Sequence, residues 1–114
     1  MACVISATSS NSGKTLLSLL LISWLKSISK TVQTFKVGPD YLDPQQLTRV
    51  SKNPCRNLDL VLSSERWVKE SFNQFGGLTD FSFIEGAMGL FDGIGSSSKG
   101  STAELAKILN LPIV

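Results

Sequence analysis

Residues 2–15 of the chain, ACVISATSSNSGKT, decide its fold class. A short β-branched strand leads into a loop of small residues, and a Gly-Lys-Thr tripeptide then opens a long apolar helix. This is the order of parts in a phosphate-binding loop, because small residues let backbone N–H groups face phosphate oxygens and the helix start adds its positive dipole end. In such a loop the lysine reaches the β- and γ-phosphates and the hydroxyl holds Mg²⁺. The expected nucleotide-binding residues are Ser10, Asn11, Ser12, Gly13, Lys14 and Thr15.

One position departs from the usual form of this loop. The pattern begins with a glycine, whereas this chain has Thr8 at that place. The alternative is an ordinary turn between a strand and a helix that happens to contain Gly-Lys-Thr. The strand before the loop and the helix after it favour nucleotide binding, because this context is what confirms the motif.

Composition sets the class of protein. The chain has 114 residues, ordinary apolar and charged content and a net charge of +2, which predicts a soluble globular protein and is too small a charge to indicate a nucleic-acid or membrane partner. Two cysteines, Cys3 and Cys55, make neither a disulfide framework nor a metal site. We therefore expect reduced thiols and a cytoplasmic protein.

The chain ends in a pattern that predicts the beginning of another element. Residues 111–114, LPIV, are typical of the first residues of a new buried strand, and a doubly wound nucleotide domain needs more strands than this length offers. We therefore expect residues 1–114 to be the N-terminal portion of the ATP-binding domain of a longer enzyme.

Strand and helix signals alternate along the chain, which predicts an α/β fold with a parallel sheet flanked by helices and right-handed crossovers. The helix over residues 16–25 is apolar around most of its circumference and too short to span a bilayer, so we expect it to be buried on the sheet and under its neighbours. Further strands are predicted at 31–37 and 80–84. The other predicted helices are a weak one over 45–50, one from Ser63 or Ser64 to about Phe75, and one over 102–109 with Ser101 and Glu104 at capping-box spacing. Loops are predicted at 38–44, around 57–59, and at 94–100, where a Ser/Gly tract indicates mobility.

Charged side chains follow the predicted strands. Ligands of a parallel sheet bind at the carboxyl ends of the strands, so these side chains and Lys14 of the phosphate loop are expected around one crevice. Mg²⁺ would allow carboxylates to lie beside a triphosphate, because it binds oxygen and bridges phosphates to acidic groups. The candidates are Lys36, Asp40 and Asp43 after the second strand, and Glu85 and Asp92 after the third.

Each candidate also has a purely structural interpretation. Asp40 and Asp43 flank prolines and are typical of turn residues whose side chains bond to the local backbone. Asp92 would then cap a turn and Lys36 would be a solvated charge at a strand end. Glu85 resists this interpretation, because a carboxylate that ends an apolar strand must lie at the rim of the sheet.

Five stretches of the sequence resemble the cobyrinic acid a,c-diamide synthase family, which is related to dethiobiotin synthetases and partition-type ATPases. The resemblance covers essentially the whole chain in the order of the family, and KVGPDYLDP and EGAMGLFDG are more specific than any phosphate loop. The stretches are SSNSGKT, FKVGPDYLDP at 35–44, RNLD at 56–59, IEGAMGLFDG at 84–93 and STAELAKILNLPIV at 101–114.

The resemblance implies a ligase that uses ATP and Mg²⁺ to phosphorylate carboxylates of a corrin ring, after which ammonia from glutamine displaces phosphate to leave a carboxamide. It implies that Thr15, Asp43 and Glu85 bind the metal and that Asp40 helps to order this region. It further implies that Asp92 lies in a ligand-responsive loop and that Lys36 lies beside the substrate. The residues that it places at the substrate are Tyr41, Ser101 and Thr102.

Two departures from the family pattern and several alternatives stay open. Many relatives have a histidine soon after the YLD motif, whereas this chain has Leu47 there and no histidine at all. The glutaminase domain that releases ammonia lies downstream in the family, so the chain alone is expected to be inactive. A partition or cell-positioning ATPase is one alternative, although Ser9 replaces the additional lysine of that class. The others are a fragment that binds nothing, and a synthase acting on a hydrogenobyrinic or nickel-sirohydrochlorin substrate; a homodimer is also possible.

Overall fold

The structure is a computed structural model that describes residues 1–6, 14–38, 43–60, 63–86, 90 and 101–114, with backbone only at 14, 15, 43 and 44. Strands and helices alternate over the described residues, as the sequence predicts. The elements are β1 (Ala2–Ile5), α1 (Lys14–Ser27), β2 (Val32–Val37), α2 (Asp43–Ser51), β3 (Arg56–Leu58), α3 (Glu65–Gly76), β4 (Phe81–Glu85) and α4 (Thr102–Leu109).

The described strands form one parallel sheet in the order β1-β4-β2-β3. The chain moves outward from β1 to β3 and then returns to place β4 between β1 and β2. Right-handed crossovers in these two directions put helices on opposite faces of a sheet. Accordingly α1 contacts α2 on one face, while α3 contacts α4 on the other. The α/β class with a parallel sheet between helices is confirmed.

Two apolar cores lie on the two faces, because successive strand residues point to opposite sides. Val4 and Ile84 belong to the core under α3 and α4, whereas their chain neighbours Ile5 and Phe83 belong to the core under α1 and α2. All six residues of β2 are buried, as expected for a central parallel strand.

The predicted helix caps are present. The side chain of Ser64 accepts a hydrogen bond from the backbone N–H of Trp67 and begins α3, and Gly77 follows its last residue. Ser101 caps α4 by accepting from the backbone N–H of Glu104 at 3.2 Å. The last of these helices has the predicted bounds, since its N-cap and its left-handed C-cap Asn110 are both encoded locally.

The loop predicted around residues 57–59 is wrong in part. Arg56, Asn57 and Leu58 form β3 and pair with β2 from Phe35 to Val37. A run this short and polar carries no strand period of its own, so its structure comes from its pairing with β2.

The prediction that α1 is covered on all sides is also wrong. Ile22 and Leu25 are buried on the sheet, but Leu16, Leu20 and Trp24, spaced one turn apart, are each about 60% exposed. Likewise the expected buried strand at 111–114 is only partly correct: Ile113 bridges Val4 in parallel at the edge of the sheet but remains exposed. None of the helices in the described part of the chain combines the length and apolar character needed to cross a bilayer.

Candidate functional site

The carboxyl ends of the strands meet at one edge of the sheet. Ile5, Glu85, Lys36 and Asn57 lie side by side in register across β1, β4, β2 and β3. Because residues paired in register share a face, this row lies on the side of the sheet that α1 and α2 cover. The row is apolar at β1 and polar on the other three strands.

Lys36 and Glu85 form a buried ion pair in this row. The ammonium Nζ of Lys36 lies 3.3 Å from Oε1 of Glu85 and donates a hydrogen bond to the carbonyl oxygen of Gly86 at 2.9 Å. Both residues are only 2% exposed. Charges that have lost their hydration are tolerated in a protein when they are paired and hydrogen-bonded, and this geometry provides both. A carboxylate can accept further bonds on its two oxygens, so the pair does not use up Glu85 as a ligand.

Gly86 brings three parts of the edge into contact. Its backbone N–H donates to the carbonyl of Ile5 at 2.8 Å. A Cβ at this position would lie 2.9 Å from the side chain of Thr102 and 3.1 Å from Oγ of Ser6. Only glycine fits here without displacement, and the close approach joins the ends of β1 and β4 to the start of α4.

Ser101 and Thr102, predicted at the substrate, are placed at this edge but face inward. Each is 1% exposed. The hydroxyl of Ser101 caps the helix, and the N–H of Ala103 donates to the carbonyl of Leu90 at 2.9 Å. These contacts satisfy part of the helix start within the chain. A role for the two residues toward a substrate carboxylate stays a prediction.

The residues on either side of the phosphate loop, Ser6 and Lys14, are described, whereas the loop itself is not. Residues Ser10, Asn11, Ser12 and Gly13 fall outside the described residues; α1 begins at Lys14, as the motif requires, and the side chains of Lys14 and Thr15 are also outside the description. Before the loop, Oγ of Ser6 is shielded from solvent and has no hydrogen-bond partner among the described residues. A shielded hydroxyl without a partner at this edge is compatible with an anion bound there, such as a nucleotide phosphate.

The exit of β2 is held by β3. Gly38 has a left-handed φ of +80°, and nothing lies within 4 Å of where its Cβ would be, so glycine is needed for the backbone conformation. Its N–H donates to the carbonyl of Leu58 at 2.9 Å, and its own carbonyl accepts from Nδ2 of Asn57 at 2.6 Å. The segment that follows leads to Asp43, the first residue of α2.

The structure brings together two of the predicted charged residues, Lys36 and Glu85. Asp40, Tyr41 and Asp92 lie outside the described residues, and so does the side chain of Asp43. Within the described part, no group of three or more acidic, cysteine or histidine side chains converges on a metal position. The magnesium set of Thr15, Asp43 and Glu85 therefore stays a prediction.

Sequence reasoning missed two features of the site. The direct pairing of Lys36 with Glu85 depends on the register of β2 against β4, which no local pattern encodes. Asn57 is predicted in a loop, whereas the structure places it in β3, where it pairs with Lys36 of β2.

No protein-family model matches the chain. Curated proteins named cobyrinate a,c-diamide synthase are similar to it over all or nearly all of its length. One from a Synechococcus strain is 46% identical over 115 residues, which cover 100% of the chain and 25% of the relative. One from a Synechocystis strain is 44% identical over 117 residues, with 100% and 24% covered, and one from Clostridium acetobutylicum is 50% identical over 111 residues, with 97% and 25% covered.

The chain spans about a quarter of the length of the curated relatives that it matches. The matches, at 42% and 50% identity for two of these relatives, cover 100% and 97% of the chain. Over this matched quarter, the chain is similar to proteins named cobyrinate a,c-diamide synthase.

Proposed function

We propose that this chain supplies the ATP- and Mg²⁺-binding part of a cobyrinate a,c-diamide synthase, a carbon–nitrogen ligase of cobalamin biosynthesis. The observation that carries the proposal is the buried pair of Lys36 and Glu85 at the carboxyl edge of the sheet, where ligands of parallel α/β proteins bind. The names of relatives that match the whole chain support the substrate class.

A carboxylate does not react with ammonia until it has a good leaving group. In the proposed reaction a carboxylate oxygen of cobyrinate attacks the γ-phosphoryl group of ATP, which releases ADP. Ammonia drawn from glutamine by a glutaminase domain then displaces phosphate from the acyl phosphate, and loss of a proton leaves the amide. The protein must therefore hold two anions together, which requires cationic groups and backbone donors.

Three groups of residues would perform this task. The N-terminus of α1 offers backbone N–H groups to phosphate, with Ser10, Asn11, Ser12, Gly13 and Lys14 preceding or opening it. Glu85, with Thr15 and Asp43, would hold Mg²⁺, which neutralises phosphate charge and positions its oxygens. Lys36 orients the Glu85 carboxylate by pairing with one of its oxygens.

The remaining predicted residues belong to the same proposal. Asp40 and Tyr41 follow β2 and would meet the metal and the substrate, and Asp92 follows β4. Ser101 and Thr102 would act from the start of α4. A partition-type ATPase is less well supported, because Ser9 replaces the lysine of that class and the relatives that match are synthases.

Turnover is best tested in a chimera in which this chain replaces the matching quarter of the Synechococcus relative. We expect ATP hydrolysis that depends on both cobyrinate and Mg²⁺, and loss of that turnover with Glu85→Gln or Asp43→Asn. Glu70→Gln is the matched control, since Glu70 also pairs with a cation, Arg66, but on the exposed face of α3.

Each outcome of this test is informative. Turnover that needs no tetrapyrrole would favour the partition-type alternative, and preference for hydrogenobyrinate or nickel-sirohydrochlorin over cobyrinate would change the substrate. Turnover unaffected by Glu85→Gln would remove Glu85 from the metal site. A wild-type chimera without turnover would contradict the proposed function.

A further inference from the structure

Asn57 lies at the carboxyl edge, next to Lys36 in register, and has no role in the function proposed above. Its side-chain Nδ2 donates to the carbonyl oxygen of Gly38 at 2.6 Å. We propose that Asn57 is a positioning residue, which fixes the direction in which the chain leaves β2 toward Asp40 and Asp43. This inference rests on the proposed function of those carboxylates.

Gly38 needs such a contact. Glycine has no Cβ, so its backbone angles are restricted less than those of any other residue. The φ of +80° at Gly38 is one that glycine adopts freely, and no side-chain packing limits it. The bond from Asn57 fixes where the Gly38 carbonyl points, and the bond from the Gly38 N–H to Leu58 fixes the other side of the residue.

The far end of the segment is held independently. α2 begins at Asp43 and is anchored by Leu47, which is 1% exposed, and by Oγ1 of Thr48, which accepts from the backbone N–H of Cys55 at 2.8 Å. Residues 39–42 connect this helix to Gly38. Gly38 and Asp43 are therefore the two described ends of the segment that contains Asp40.

The same arrangement occurs on the next strand pair. Lys36 of β2 donates to the carbonyl of Gly86, the residue after β4, and Asn57 of β3 donates to the carbonyl of Gly38, the residue after β2. In both cases a polar side chain from one strand bonds to the carbonyl of the glycine that follows the neighbouring strand. Both bonds lie at the edge where the ligand residues are expected, which favours a positioning role over general stabilisation.

The chain contains a matched control. Asn53 also donates from Nδ2 to a carbonyl of β2, that of Val32 at 2.8 Å, but at the opposite end of the strand. Asn53 and Asn57 are both partly buried. Replacing either by leucine keeps the side-chain size and removes its bond from Nδ2 to a backbone carbonyl of the β2 segment, without adding charge.

The test compares Asn57→Leu with Asn53→Leu in the chimera described above. We expect Asn57→Leu to raise the Mg²⁺ concentration for half-maximal turnover about ten-fold. This is the lower end of the effect found when groups that orient metal ligands are removed. Asn53→Leu should leave that concentration unchanged, whatever both variants do to the melting temperature. Equal shifts in the two variants, or none in Asn57→Leu, would overturn the positioning role.

A second measurement does not depend on turnover. Amide hydrogen exchange at Gly38 should become faster in Asn57→Leu than in Asn53→Leu, if Asn57 holds the exit of β2. Unchanged exchange would overturn the inference while the proposed function stands. If the wild-type chimera lacks turnover, the proposed function fails and the positioning role fails with it, but the exchange data still show whether the contact holds Gly38.

Discussion

The Nζ atom of Lys36 lies 3.3 Å from Oε1 of Glu85, and both residues are almost completely buried. The two side chains come from neighbouring strands and are placed opposite each other by the register of β2 and β4. The desolvation of each charge is offset in part by the other, and that of the Lys36 ammonium also by its bond to the carbonyl of Gly86. Removal of one partner therefore has a larger effect than removal of both.

We expect Lys36→Met to lower the free energy of unfolding by about 3–5 kcal/mol, because it leaves the Glu85 carboxylate buried without its cation. The double variant Lys36→Met with Glu85→Leu should recover much of this loss, since an apolar pair replaces the ionic one. Urea denaturation measures both. The control is Lys69→Met, which removes an exposed pair with Glu65 and should cost less than about 1 kcal/mol. Equal costs for the two lysine variants would contradict the buried pair.

Gly86→Ala should destabilise the chain by about 1–3 kcal/mol, because the added methyl group overlaps the side chain of Thr102. Thr102→Ser removes one of the two atoms that lie 2.9 Å from the added carbon, so the double variant should recover part of the loss. Thermal melting of the two single variants and the double variant tests this. A Gly86→Ala protein as stable as the original would show that the contact between the ends of β1 and β4 and the start of α4 is looser than described.

Asp80 joins the starts of β2 and β4. Its carboxylate accepts hydrogen bonds from the backbone N–H of Thr31 at 2.9 Å and from the Thr31 hydroxyl at 3.1 Å, and these contacts, the backbone bond first, lower the pKa of Asp80. A lowered pKa in the folded state means that the unfolded state binds the proton more readily. The stabilisation of the folded state by the ionised Asp80 carboxylate is therefore fully present above the ordinary carboxyl pKa of about 4, and it is lost as the pH falls from there through the lowered pKa.

Asp80→Asn should abolish that part of the acid destabilisation. The measurement is the free energy of unfolding at about pH 6 and about pH 3, values on either side of the ordinary carboxyl pKa. The difference between the two pH values should be smaller in the variant than in the original chain. An identical difference would mean that the bonds from Thr31 do not favour the ionised carboxylate.

Burial raises the pKa of the Cys3 thiol. Since the thiolate is the reactive form, Cys3 should be alkylated more slowly in the folded chain than in urea at the same pH. A Cys55→Ser background leaves one thiol to follow, and mass spectrometry gives the rate. Equal rates in the two conditions would contradict the burial of Cys3 in β1.

Local signals account for much of the fold. The caps at Ser64 and Ser101 and the apolar strand runs depend on neighbours in sequence, and the corresponding helices and strands are confirmed. The loop predicted around residues 57–59 is wrong in part, because Arg56, Asn57 and Leu58 form a strand only by pairing with β2. Helical periodicity was likewise insufficient for α1, since an apolar side chain such as Trp24 does not specify which neighbour covers it.

The shared edge of Lys36 and Glu85 was predicted, but the contacts around them were not. The rule that ligands bind at strand ends placed Lys36 and Glu85 at one edge, and the structure confirms this. Their pairing and the bond from Asn57 to Gly38 depend on the strand register. A single sequence does not specify that register, because both faces of a central parallel strand are apolar.

The position of β4 also constrains how the chain folds. β1 and β2 do not pair with each other, and each pairs with β4, the last of the four described strands in the sequence. During synthesis, β1 therefore leaves the ribosome well before its partner, and the N-terminal half must wait with its central edges unpaired. The complete sheet forms only after residues 81–85 have emerged, because β4 joins β1 to the pair of β2 and β3, and unpaired strand edges of this kind favour aggregation until then.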